Sequence, residues 1–234
     1  MATSIEAQEQ AGGWKQKPPP SIAVIILAAG ASTRMGRPKQ LLTYGGSSFL
    51  RHAAKAAVAS VCRPLIVVLG AYVDQVHDEI DDLPVEQVMN ERWAEGMGWS
   101  IQAGLNSLNH SNRDRAIEAV VLMLCDQPLL TTAVINDLVT VYRSSGKGIV
   151  ASEYGGTVGV PVLFARRYFA ELEALSAAAG AKHIIAAHSS DVDRVPFAQG
   201  IADVDTPEDY LQLQRMLPPH ASRQMSDFEH RRMP

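Results

Sequence analysis

The most constraining feature of this chain is an unbroken apolar run, Ile22 to Ala29, that ends at Gly30 and empties into a small, polar and basic loop. The run is rich in β-branched residues, and its length suits a strand buried on both faces of a parallel sheet. Past Gly30 the composition changes to Ser32, Thr33, Arg34, Gly36, Arg37 and Lys39. Gly30 and Gly36 let backbone N–H groups approach an anion, and Arg34 and Lys39 carry the charge to neutralise it. Neither common phosphate loop is present. The P-loop reads G-x-x-x-x-G-K-[ST], but five residues separate Gly30 from Gly36 and Arg37 follows. The dinucleotide fingerprint G-x-G-x-x-G fails at its second glycine, where Ser32 stands. On spacing alone the stretch reads equally as an ordinary βα turn with solvated cations.

Further along, apolar strands and helical stripes alternate. Ser47 to Val61 predicts a helix with one apolar stripe, capped by Ser47 or Ser48. Strands are predicted at 65–69, 84–89, 120–125, 148–152 and 192–196, and helices at 72–80, 132–144 and 166–175. Asn90 to Leu105 reads as a loop leading into a helix, broken at Gly96 and Gly98, with Ser100 near the helix start. Exposed N–H groups there suit an anionic or hydrogen-bonding ligand, although a plain capping serine explains Ser100 as well. Asp126 follows a buried strand, where open α/β sheets bind ligands and where a carboxylate also caps turns. Thr206, Pro207, Glu208 and Asp209 are explained as a helix start, and Asp203 and Asp205 share a side if that piece is extended. The alternation predicts a mostly parallel sheet covered on both faces.

Residues 27–42, L-A-A-G-A-S-T-R-M-G-R-P-K-Q-L-L, closely resemble the signature L-A-[AG]-G-x-x-x-R-[MF]-G-x-x-K of the MobA-like nucleotidyltransferases. The Ala28-Ala29-Gly30 form is that of the branch containing molybdenum cofactor cytidylyltransferase. E-G-M-G-W-S-I-Q-A-G-L from Glu95, L-C-D-Q-P at Asp126 and D-V-D-T-P-E-D from Asp203 resemble further segments of that family, so the likeness covers roughly residues 22 to 215. The resemblance implies a single-domain α/β, Rossmann-like fold of the nucleotide-diphospho-sugar transferase type. It implies nucleotide contacts from Leu27, Ala28, Ala29, Gly30, Lys39, Ser100, Gly104 and the Gly96–Gly98 turn, with Arg34 and Lys39 catalytic. Asp126 and Asp205 would hold Mg2+, with Asp203 the next candidate, and Lys182 would bind the acceptor. The implied reaction moves CMP from CTP to molybdopterin, releasing pyrophosphate, with transient contact to a molybdenum enzyme or its chaperone. Three positions depart from the family pattern and bear on the acceptor side: Ala177 and Ala178 replace a glycine and an aspartate, and Val160 stands where the cytidylyltransferases usually show histidine.

Composition narrows the partners. A formal charge of −4 argues against a nucleic-acid-binding surface. No apolar run approaches the ~20 residues of a membrane span. Cys62 and Cys125 sit in or beside apolar runs without C-x-x-C, which suits buried thiols in a reducing compartment and a cytoplasmic location. Residues 1–20 and 218–234 read as polar or proline-bearing tails around one domain at 21–217. His52, His77, His183 and His188 show no metal-ligand spacing, while Trp93 and Trp99 either pack under the Gly96 turn or line the groove. Competing functions are transfer with GTP or to a sugar phosphate or methylerythritol phosphate, a nicotinamide-dependent reductase, and a non-catalytic cofactor carrier.

Overall fold

The computed structural model describes residues 21–110, 117–201 and 204–216. Both predicted tails and Asp203 lie outside the described residues. In chain order the elements are β1 (Ser21–Leu27), the short hairpin strands β2 (Thr43–Tyr44) and β3 (Ser47–Ser48), α1 (Phe49–Val58), β4 (Leu65–Leu69), α2 (Val73–Val76) and β5 (Glu86–Met89). Then follow α3 (Met97–His110), β6 (Ile117–Leu124), α4 (Thr132–Ser145), β7 (Ile149–Tyr154) and β8 (Thr157–Ala165). The last are α5 (Phe169–Glu173), α6 (Lys182–Ala187), β9 (Val192–Pro196) and α7 (Pro207–Arg215). The larger sheet has seven strands in the order β5-β4-β1-β6-β8-β7-β9. All run the same way except β8, which is antiparallel to both neighbours.

The apolar run at the front of the chain is the centre of that sheet, with β4 and β6 in parallel register on either side. Its alternate residues feed two cores. Val24, Ile26 and Ala28 join Leu50, Ala53 and Ala57 of α1 and Ile135 and Leu138 of α4. Ala23, Ile25 and Leu27 join Ile101, Leu105 and Leu108 of α3 with Leu172 of α5. Both faces are covered, so no residue of β1 between Ile22 and Leu27 is polar. Ser48 caps α1, its hydroxyl accepting the Arg51 N–H. Cys62 and Cys125 are buried free thiols.

The reversed strand has a local cause. Gly155 and Gly156 both have positive φ, +55° and +73°, in a two-residue loop between the paired residues Tyr154 and Thr157. That is the geometry of a tight hairpin turn whose twist matches its strands, and only glycine enters it without strain at both positions. Gln127, just past β6, donates its amide N–H to the Val160 carbonyl and so ties the end of β6 to β8.

Asp191 anchors the opposite edge. Its carboxylate accepts from the Tyr168 hydroxyl, the Arg167 guanidinium and the Gly148 N–H. Burial opposes the charge, but these donors outweigh it and hold the pKa down at about 2. With the folded value below the unfolded one, the stabilisation is present above about pH 4 and fades as the pH falls towards 2. Asp191→Asn is therefore expected to lower stability by about 1–2 kcal/mol at neutral pH. Urea unfolding should find the gap from wild type closing below pH 4.

Candidate active site

The loop after β1 is held by an internal scaffold. Ser32 takes a positive φ of 53°, and its carbonyl accepts the N–H groups of Met35 and Gly36, closing a tight turn. Its hydroxyl accepts the Lys39 N–H at 3.0 Å. Gln40, buried beneath, donates from Nε2 to the carbonyls of Ala28 (2.9 Å) and Gly30 (2.8 Å). One amide thus pins the loop to the end of β1, and Lys39, the residue before it, is carried over the ends of β1 and β6. Among the described residues nothing lies within 4 Å of where a Gly30 Cβ would be, so the loop backbone stays open to a ligand.

Lys39 is the hub. Its Nζ lies 2.9 Å from Asp126 Oδ2 and 2.6 Å from Asp205 Oδ1. Arg34 reaches the other oxygen of Asp205 at 2.8 Å. Asp126 arrives directly from the carboxyl end of β6. Asp205 comes from the far end of the chain and needs its own scaffold. Thr206 caps α7, and Asp209 returns the bond, its carboxylate accepting the Thr206 and Asp205 N–H groups. The helix is then fastened to the loop by Tyr210, whose hydroxyl donates to the Thr43 carbonyl at 2.9 Å and whose ring packs on Phe49. Arg37 lies over the same ring.

Burial by itself would lower the Lys39 pKa. The Asp126 charge and the hydrogen bonds to both carboxylates outweigh it, and the net shift is upward. The Asp205 carboxyl is held below its usual range, chiefly by the Lys39 hydrogen bond, against a smaller effect of burial. Lys39 and Asp205 are therefore both charged at neutral pH. Among the described residues, Asp126 Oδ1 is buried and meets no donor. A buried carboxylate oxygen without a donor, beside two oxygens already converging on one cation, fits a hard divalent metal.

These groups line a cleft of about 350 Å3 between the ends of β1 and β6. The chain leaves those neighbouring strands in opposite directions, the place where open α/β sheets take ligands. Leu27, Ala28, Ala29, Gly30, Arg34, Lys39, Ser100, Asp126 and Asp205 all border it. Trp93, Gly96 and Met97 form the facing wall with Ser100. Of the two tryptophans, Trp93 lines the groove, while the ring of Trp99 stacks on the Arg92 guanidinium.

Two expected contacts stand elsewhere. Gly104 does not border the cleft: it is where α3 crosses the sheet, and a Cβ there would lie 2.7 Å from Ile25 Cγ2 and 3.2 Å from Val68 Cγ2. Its smallness serves helix–sheet packing. Gly104→Ala is expected to cost about 1–2 kcal/mol by overpacking, despite the better helix propensity of alanine. A thermal melt reads this. Lys182 begins α6 beside Gly159 of β8 and is not among the cleft-lining residues. The Gly96–Gly98 turn is divided. Gly96 lines the cleft, whereas Gly98 backs away from it and donates its N–H to the Ala177 carbonyl. A Cβ at Gly98 would lie 2.3 Å from the Ser176 carbonyl oxygen, so the segment bearing the two alanine departures seats directly on this turn.

Sequence reasoning missed Gln40 and Asn90. Both are polar, buried and spent on internal hydrogen bonds at the site. For Gln40 the only signal was an amide set between Lys39 and Leu41-Leu42. His77, for which the sequence shows no metal-ligand spacing, gathers with the exposed Asp78 and Asp81 in a group of a kind that acidic surfaces commonly show without an ion.

Residues 24–192 match the model of the MobA-like NTP transferase domain. Nicotine blue oxidoreductase of Paenarthrobacter nicotinovorans is 33% identical over 125 residues, which are 53% of this chain and 58% of that protein. The match thus spans little more than half the length of that relative. A homologue of Rv0371c from Mycobacterium sp. strain JC1 superposes with a TM-score of 0.72 at 29% identity, covering 87% of this chain and 98% of that one. Rv0371c of Mycobacterium tuberculosis H37Rv in complex with manganese superposes with a TM-score of 0.70 at 26% identity, covering 84% and 100%.

Proposed function

Because the chain belongs to the MobA-like NTP transferase family, whose activity is nucleotidyl transfer, we propose that it moves CMP from CTP to molybdopterin, giving molybdopterin cytosine dinucleotide and pyrophosphate. The observation that carries the reading is the convergence of Arg34, Lys39, Asp126 and Asp205, from three distant parts of the chain, on one cleft at the end of β1. In this reading residues 21–217 are one cytoplasmic transferase domain.

The chemistry asks little of the protein beyond placement and charge. A phosphate oxygen of the acceptor attacks the α-phosphorus in line, the α–β phosphoanhydride bond breaks, and pyrophosphate leaves with the electron pair. An acceptor phosphate is already anionic, so no general base is required. The backbone from Leu27 to Gly30 and the Ser100 wall receive the nucleoside, and the open space at Gly30 admits a phosphate close to the chain. Arg34 and Lys39 face the charge that gathers on the departing pyrophosphate. Asp126 and Asp205 would hold a divalent cation, Mg2+ in this proposal, which supplies charge neutralisation at phosphate oxygens when bound. That Rv0371c was crystallised in complex with manganese supports the use of a divalent cation. Lys182 is proposed to meet the acceptor from the start of α6, beside β8, where Val160, Ala177 and Ala178 depart from the family pattern.

Pyrophosphate release measured with CTP, GTP and ATP, with and without molybdopterin, tests the proposal. Release with CTP that depends on molybdopterin is expected. Release only with another nucleotide or a sugar phosphate would move the substrate assignment, and none with any pair would end it. The likeness to nicotine blue oxidoreductase favours one second reading, a reductase, and an NADH titration separates the two.

A further inference from the structure

Taking the cleft as the nucleotide site proposed above, we infer that Asn90 is a positioning residue that makes the Ser100 hydroxyl a hydrogen-bond donor towards the ligand. The site then selects a nucleotide whose base presents an acceptor at that point. Asn90 follows β5 directly, and both it and Ser100 are buried. The orientation of its amide is set on one side by the backbone. The Arg92 N–H donates to Asn90 Oδ1 at 3.0 Å, a place that only an acceptor can fill. The other end of the amide is therefore its amino group, and Nδ2 donates to Ser100 Oγ at 3.0 Å. A hydroxyl that accepts from an amide keeps one proton to give. Among the described residues no hydrogen bond takes that proton.

The proton has the cleft before it. Ser100 lines that space, and Asn90 stands behind it. The lining divides by chemistry. Arg34, Lys39, Asp126 and Asp205 form one bonded, charged group, while Trp93, Gly96, Met97 and Ser100 come from the segment entering α3 and carry no charge. A triphosphate belongs with the cations, which leaves the base against the uncharged wall. There a ring carbonyl oxygen or an unprotonated ring nitrogen accepts from Ser100, and an amino group in the same place meets a second donor. Cytosine carries suitable acceptors at O2 and N3. Specificity of this kind comes from leaving a buried polar group unpaired with the wrong ligand.

Asn90→Asp separates orientation from packing, because the two side chains have nearly the same shape. Asp keeps an acceptor for the Arg92 N–H, but its second oxygen takes the Ser100 proton and turns a lone pair towards the ligand. Binding of CTP with Mg2+ is measured by calorimetry on the full chain, with GTP and ATP in parallel. The variants are Asn90→Asp, Asn90→Ala, Ser100→Ala and Asn90→Asp/Ser100→Ala, each checked by thermal melt. Ser100→Ala is expected to weaken binding ~10-fold and Asn90→Asp by at least as much, with Asn90→Ala losing less than either. The double variant should bind no more weakly than the weaker single one. If Asn90 only packs, the order inverts: Asn90→Ala is worst and Asn90→Asp stays near wild type, which overturns the inference. Should Asn90→Asp not fold, an Asn90→Ala loss that persists in full in a Ser100→Ala background overturns it, and one that vanishes there supports it. Wild-type protein that binds none of the three nucleotides overturns the nucleotide reading and this inference together. Wild-type binding with Asn90→Asp unchanged overturns this inference alone.

Discussion

Lys39→Ala is expected to lower nucleotidyl transfer by ~100-fold or more, and at the same time to tighten divalent-metal binding in the absence of nucleotide. The two effects have one origin. In the structure the Lys39 ammonium bridges Asp126 and Asp205, the two carboxylates proposed above to hold the metal. It acts there as the cation that keeps two carboxylates together. A metal arriving at those oxygens competes with it, and the freed ammonium is then available to phosphate oxygens. Removing it takes away both the competitor and the charge that faces the leaving group. Titration with Mn2+ followed by paramagnetic resonance reads the first effect, and steady-state pyrophosphate release reads the second. A variant with wild-type kcat would refute the role in turnover. Weaker Mn2+ binding would refute the competition.

Asp126→Asn is the second large effect, and it acts on the metal. The carboxylate offers one oxygen to Lys39 and keeps a second, buried oxygen that meets no donor among the described residues. An amide halves the acceptors and removes the charge while keeping the shape, so the fold should survive. Loss of an outer-shell partner typically weakens a metal site ~10–100-fold, and loss of a direct carboxylate should exceed that. The expected result is transfer that no longer responds to magnesium across the range that saturates wild type. An unchanged magnesium titration would show that the metal, if one is used, is held elsewhere. Asp205→Asn is predicted to behave similarly but to lose Arg34 as well, because that guanidinium pairs with the far oxygen of Asp205.

Much of this molecule was readable from local pattern. The run from Ile22, the strands at 65–69 and 192–196, and the helix capped by Thr206 fall where hydrophobic period and capping chemistry predict them. A buried strand must be apolar on both sides, and a helix start must satisfy its N–H groups, so a few neighbouring residues suffice. The signature from Leu27 to Lys39 likewise carries its own turn, since the positive φ of Ser32 and its bonds to Met35, Gly36 and Lys39 are all internal to the loop. The β7–β8 hairpin had a local signal too, the Gly155-Gly156 pair, which the alternation of strands and helices obscured.

Other features exist only once the chain is folded. Gly104 reads as a ligand contact until α3 is laid across Ile25 and Val68, where it becomes the atom-sized gap that lets helix and sheet meet. Gln40 and Asn90 are ordinary amides in the sequence, and their partners are carbonyls and a hydroxyl fixed by the folded backbone. Asp126 and Asp205 are far apart along the chain, and each has a plain local explanation. Sequence by itself determined the central strand, its phosphate-ready loop and the family to which they belong, because those properties are set by residues within a turn or two of one another. Tertiary structure alone decided that two remote acids share one lysine and that a buried amide donates to one serine at the cleft, because charge and hydrogen-bond direction depend on which groups are brought within a few ångströms.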